Sequence, residues 1–185
     1  MANPLCPTGC NSVLGAVLFD DCEPNINLSE IKRIFVAKGN TLAFNDWTAA
    51  PEWVDRINQS GDTAGVIRAL TVIGDKPAAS PVKKEISNGR QWIIGKDHTV
   101  NFTIDDVSDE NYEFMRKLEC GGKFRIWYET KGGYLYGGNE GIKAFLSADD
   151  VLGKGNEEIE TIVGAATWRN KFSPERTKSP IFVED

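Results

Sequence analysis

The stretch HTVNFTID, residues 98–105, alternates without a break. Val100, Phe102 and Ile104 take one side, and Thr99, Asn101 and Thr103 the other. That two-residue period predicts a strand with one buried face. KFRIWYE, 123–129, does the same, with Phe124, Ile126 and Tyr128 opposite Arg125, Trp127 and Glu129. TKGG then reads as a hairpin turn and YLYGG as the start of the return strand. Between these strands the period changes. In SDENYEFMRKLEC, Tyr112, Met115 and Leu118 recur at helical spacing with Phe114 beside them. A helix over about 109–119 follows, its Tyr112–Met115–Leu118 face packed on the outside of a sheet. Ser108 or Asp109 can cap it. Asp109 and Glu110 suit the positive end of its dipole, and Arg116 and Lys117 the negative end. Gly121 supplies a left-handed stop.

The remaining pattern is mostly strand. EIKRIFVA (30–37) and VIRALTVIG (66–74) have β-branched and apolar content. GIKAFLSADDV and EEIETIVGAATWR follow later, with Gly164 as a bulge or a close approach. DWTAAPEWVDRINQSG holds a short helix starting near Thr48, with Pro51 in its first turn, Trp53 and Ile57 on one face and Gly61 past its end. Residues 75–98 carry two prolines, then VKKEIS, the turn pair Asn88-Gly89 and RQWII. Asn-Gly between strand-like runs marks a hairpin, here a long arm projecting from the body. The expected fold is mainly β with one central α-helix, an antiparallel β-barrel or sandwich with a long β-hairpin arm. Residues 1–25 form an N-terminal extended arm, 26–175 the β domain with 75–98 as its projecting arm, and 176–185 a C-terminal extended tail.

The glycine-rich run ECGGKFRIWYETKGGYLYGG raises the question of a phosphate loop. Such a loop runs from a strand into a helix and reads G-x-x-x-x-G-K-[ST]. Here the order is helix, glycines, strand, so the glycines punctuate turns.

Composition narrows the function classes. The 185 residues suit one domain, and the net charge of −6 disfavours wrapping nucleic acid. An acidic chain can still line a passage through which a polyanion slides. No apolar run reaches the length of a membrane span, and the N-terminus lacks a secretory leader, so synthesis in a cytoplasm is expected. The four cysteines are Cys6, Cys10, Cys22 and Cys120. They read as thiols in a reducing compartment, with a four-thiolate zinc site or metal-stabilised binding module as the alternative. C-x3-C is not the usual zinc spacing.

Chemistry is sparse. His98, the lone histidine, has no metal or triad motif around it and reads as structural or solvated. Asp105, Asp106, Asp109 and Glu110 lack the EF-hand spacing. Glu157, Glu158 and Glu160 could form a carboxylate pair or line a lumen. The alternation from Glu158 and Glu160 through Ile162 and Ala166 is read as the lumen face, and Ile159, Thr161 and Val163 as the core face. No cofactor and no catalytic residue are expected. Lys83, Lys84, Trp92, Ile93 and Ile94 on the arm are expected at a subunit interface.

With these elements in place, GDKPA, NGR, HTVNFTIDD, NYEF, LECGG, IWYET and LYGG, in this order around one central helix, give a layout that resembles the tail-tube and neck-ring structural proteins of tailed bacteriophages, the crAss-like phages of gut bacteria among them. The tubes of contractile injection systems are related. The resemblance covers about residues 30–175 and rests on layout. It implies a tail-tube type of barrel and a virion protein that catalyses nothing. It also implies a homo-oligomeric ring, six-fold or twelve-fold, around a channel for DNA, with adjacent tail or neck proteins as partners, transient non-specific contact with DNA and no membrane.

Overall fold

The computed structural model describes residues 22, 26–61, 63–155 and 158–182. The elements in chain order are β1 (Ile31–Lys38), α1 (Ala50–Asn58), β2 (Ile67–Asp75), β3 (Ser80–Ile86), β4 (Arg90–Ile104), α2 (Asp109–Glu119), β5 (Phe124–Thr130), β6 (Tyr134–Tyr136), β7 (Ile142–Val151), β8 (Thr161–Asn170) and β9 (Arg176–Lys178). Six strands run in the order β1-β2-β4-β8-β7-β5, each antiparallel to its neighbour. β5 pairs back onto β1, from Ile31 opposite Thr130 to Lys38 opposite Phe124, and closes the barrel. Closure leaves these strands no free edge. β6 continues from β5 and β9 from β6, while β3 pairs with the first half of β4.

Alternation decides what fills the barrel. Ile34 and Val36 of β1, Leu70 and Val72 of β2, and Val100, Phe102 and Ile104 of β4 are buried in one cluster with Ile126, Ala144, Leu146, Ile162 and Ala166. A six-stranded barrel is narrow enough for side chains to fill it. Gly164 permits this filling. A Cβ there would strike the Phe102 ring and come to 2.8 Å from the Ser147 carbonyl oxygen. The ladders through Gly164 run without a register shift, so it marks a close approach and not a bulge.

A second core lies on the outer side of β1, β2 and β5. Phe35, Ala37, Ile67 and Trp127 meet Phe44, Trp47 and Trp53 from the segment that includes α1. Phe44 stacks on Trp53 with centroids 4.3 Å apart, and both meet Trp127 edge-on. Such pairs add about 0.5–1.5 kcal/mol each beyond burial. Two of the indole N–H groups find carbonyls: Trp53 donates to Trp47 and Trp127 to Gly138, both at 2.8 Å. The glycines of YLYGGNEG fold around Trp127. Gly137 and Gly141 have φ of 145° and 69°, and a Cβ on either would strike the indole. They serve packing around Trp127.

Several expectations are corrected. α2 spans 109–119 as predicted, but Met115 and Leu118 join the interior cluster. Because α2 links the end of β4 to the start of β5, it closes one mouth of the barrel instead of lying on its outside. Tyr112 is exposed. VKKEIS and RQWII form a hairpin whose second strand runs on into HTVNFTI as one 15-residue strand, β4. On β8 the predicted faces are exchanged. Ile162 and Ala166 are fully buried, whereas Val163 and Ile159 are 43% and 74% exposed. Arg176–Lys178, expected in an extended tail, pair with β6 as β9. The N-terminal arm lies outside the described residues except for Cys22.

Candidate functional site

The hairpin of β3 and β4 turns through Ser87–Gly89, with Asn88 and Gly89 both at positive φ, as an Asn-Gly turn requires. Its arms pair from Ile86 opposite Arg90 to Ser80 opposite Asp97. The register slips once. Val82 faces Gly95 and Lys83 faces Ile93, leaving Ile94 as the extra residue of a bulge. Directly opposed residues share a face, so Lys84, Ile86, Arg90 and Trp92 lie together on one side and Lys83, Glu85, Gln91 and Ile93 on the other.

The five residues expected at an interface are thereby brought onto one ribbon, divided between its faces. All are exposed: Trp92 by 58%, Ile94 by 51% and Ile93 by 41%, with both lysines in solvent. Ile86, not singled out from the sequence, is exposed by 39%. Its position next to the Asn-Gly turn was the available signal. The Lys171 ammonium sits 5.5 Å from the Trp92 ring, a cation–π distance.

A further exposed surface was missed. Along the outer side of the barrel, Ile73 is opposite Thr103, Thr103 opposite Val163, and Val163 opposite Asp149. Ile73, Val163 and Val151 are exposed, as is Phe145. This side lies away from the α1 core, so nothing in the described chain covers it as α1 covers β1 and β5.

Glu158 and Glu160 are exposed on the connection leading into β8 and are not part of the strand. Strand alternation therefore does not orient them. Glu157 lies outside the described residues. So do Cys6 and Cys10. Cys120 is exposed just past α2, its thiol 3.9 Å from the Arg116 carbonyl oxygen, and Cys22 is exposed. Among the described residues, no group of three or more His, Cys, Asp or Glu is placed to hold a metal ion. Among them too, no helix is long and apolar enough to cross a membrane.

His98, the first residue of the predicted strand 98–105, is buried in the middle of β4. Its ring stacks on Trp168, 5.2 Å between centroids and 5° from parallel. Nε2 lies 3.3 Å from the Asn170 carbonyl oxygen, and Nδ1 has no partner. Burial holds its pKa below the ordinary value, reinforced by Lys76. Glu129 is fully buried, and one of its carboxylate oxygens accepts a 2.5 Å bond from the Arg33 side chain. Arg33 also donates to the Ile181 carbonyl at 2.6 Å. The pair thus fastens the C-terminal segment to β1 and β5. Near the mouth opposite α2, a cleft of about 610 Å³ is lined by Ile31, Gly74, Lys76, Tyr128, Tyr134 and Tyr136, among others. Tyr128 and Tyr136 stack there at 4.8 Å, and burial raises the Tyr128 pKa.

Comparison of the chain with protein-family models and with curated proteins finds no match to either.

Proposed function

We propose that this chain is a structural virion protein that assembles with its own copies into a ring or tube of a phage tail or neck, forming a channel for DNA. The observation that carries the reading is the β3–β4 hairpin. Trp92, Ile94, Ile93 and Ile86 are large apolar side chains held in solvent on a ribbon outside the closed barrel. Large apolar side chains exposed on both faces of a projecting ribbon point to a protein partner. Layout supports the same reading, with a barrel, a long hairpin after an early strand and one helix between central strands.

Because side chains fill the barrel, the passage lies between copies and is bounded by their outer surfaces. Glu158 and Glu160, exposed at the mouth that α2 closes, face it in this reading. Negative walls repel phosphate over about 8 Å at physiological salt, so DNA stays hydrated and mobile. The ring is six-fold or twelve-fold and meets adjacent tail or neck proteins. The purified chain, concentrated stepwise and viewed by negative-stain electron microscopy, is expected to give rings or tubes with a central hole. A monomer at every concentration, by light scattering, would rule the reading out.

A further inference from the structure

The strand registers gather cations at one end of the barrel and carboxylates at the other, with Asp97 and Lys154 as exceptions. At one end, residues 80–95 of the hairpin carry Lys83, Lys84 and Arg90 against the single acid Glu85. Lys171 lies at the same end, because β8 ends where β4 leaves the hairpin, while Arg169 there is paired with Asp97 at 2.6 Å. At the other end, residues 105–110 carry Asp105, Asp106, Asp109 and Glu110 with no cation. Asp149 and Asp150 join them there, since Val151 pairs with Thr161 and Ile104 with Ile162.

The two ends match in detail. On the hairpin, Ile86 and Trp92 share a face with Lys84 and Arg90, an apolar pair flanked by two cations. At the acidic rim, Val151 and Val163 share a face with Asp149, and Asp105 is exposed directly beyond the end of β4. That is an apolar pair flanked by two carboxylates, with both valines open to solvent at 46% and 43%. An apolar centre ringed by charge is the make-up of a specific protein interface. Opposite charge on the partner fixes its register.

We propose that the hairpin of one copy docks on this acidic rim of another, Ile86 and Trp92 against Val151 and Val163, with Lys84 and Arg90 against Asp105 and Asp149. The inference rests on the reading that the chain binds its own copies, and names the surfaces that do so. Nucleic acid is the competing occupant of a basic ribbon. The exposed isoleucines on both faces of the hairpin, and the complementary rim on the same chain, favour a second copy.

Charge exchange tests it. One variant carries Lys84→Glu and Arg90→Glu, the other Asp105→Lys and Asp149→Lys. All four side chains are at the surface, and circular dichroism checks that both variants fold. By sedimentation at low salt, each variant alone is expected to self-associate at least about tenfold more weakly than the parent chain. An equimolar mixture is expected to recover association, because each then offers the other an opposite charge. Added salt should weaken the parent and the mixture alike. Variants that associate as well as the parent, or a mixture no better than its parts, overturn the proposal while leaving ring assembly standing. Recovery in the mixture without rings or tubes from the parent supports it and removes the virion reading. A short DNA duplex that binds the parent and not the hairpin variant, with no pairing of copies, assigns the ribbon to nucleic acid instead.

Discussion

At Gly164 the β8 backbone runs against the Phe102 ring on one side and the Ser147 carbonyl on the other. A methyl group there has nowhere to go unless a buried aromatic moves. Gly164→Ala is expected to cost about 1–3 kcal/mol, the usual penalty of an overfilled core, measured by urea denaturation. A loss under about 0.5 kcal/mol, normal for surface changes, would mean that Phe102 has room to yield. His98 gives a pH signature. Its folded pKa lies below the ordinary 6.5 because burial, then Lys76 and Lys96, oppose the cation against the Asn170 carbonyl and Asp97. The unfolded chain therefore takes up its proton first. Stability is full above about pH 6.5 and falls as pH drops toward the folded pKa. Unfolding free energy measured from about pH 7.5 to about pH 5 should decline less steeply in His98→Gln than in the parent. Equal slopes would put the pH dependence on other groups. From the sequence, Gly164 was legible as a bulge or a close approach, and only the unshifted ladders on both sides decide between the two. The burial of His98 was not legible, since the ring it stacks on, Trp168, is seventy positions away on another strand.

Among the elements, α2 is the one whose place decides the core. Met115 and Leu118 enter the barrel's interior cluster, while Tyr112 on the same predicted face stays 37% exposed. Leu118→Ala is expected to cost about 2–5 kcal/mol, the range for a buried leucine. Tyr112→Ala should stay near the surface value of about 0.5 kcal/mol. Comparable losses at both positions would restore the whole Tyr112–Met115–Leu118 face to the interface. The extent of α2 was readable because charge and period agree over 109–119, although Ser108 at the N-cap makes no side-chain capping bond. Its position was not, since an amphipathic face does not say whether it meets the outside of a sheet or the open end of a barrel. The same ambiguity exchanged the faces of β8. Ile159 and Val163 are as apolar as Ile162, and a period of two offers two faces with no preference when both carry such residues. Closure was equally hidden. It depends on β5 pairing back to β1 across about ninety residues, and nothing local in either strand encodes that partner.

For the molecule as a whole, the hairpin is separable from the barrel. The six-strand circuit closes without β3, and the outer part of the ribbon, residues 83–94, is exposed at every position. Removing all of it would fail for a covalent reason. Asp75 pairs with Asn101, so the chain needs residues 76–82 to climb beside β4 before it can turn. Val82 and Gly95 are opposed across the ladder, and a two-residue Asn-Gly loop closes an antiparallel pair of that kind. Replacing residues 83–94 with Asn-Gly should therefore leave a folded barrel, its unfolding free energy changed by no more than about 0.5 kcal/mol, as for other surface changes. The same change deletes Lys84, Ile86, Arg90 and Trp92 together, so the shortened chain is expected to remain monomeric where the parent assembles. Light scattering beside a denaturation curve separates the two effects. A shortened chain that unfolds at once would show the ribbon to be part of the barrel's own stability. One that folds and still builds rings would move the contact between copies to another surface.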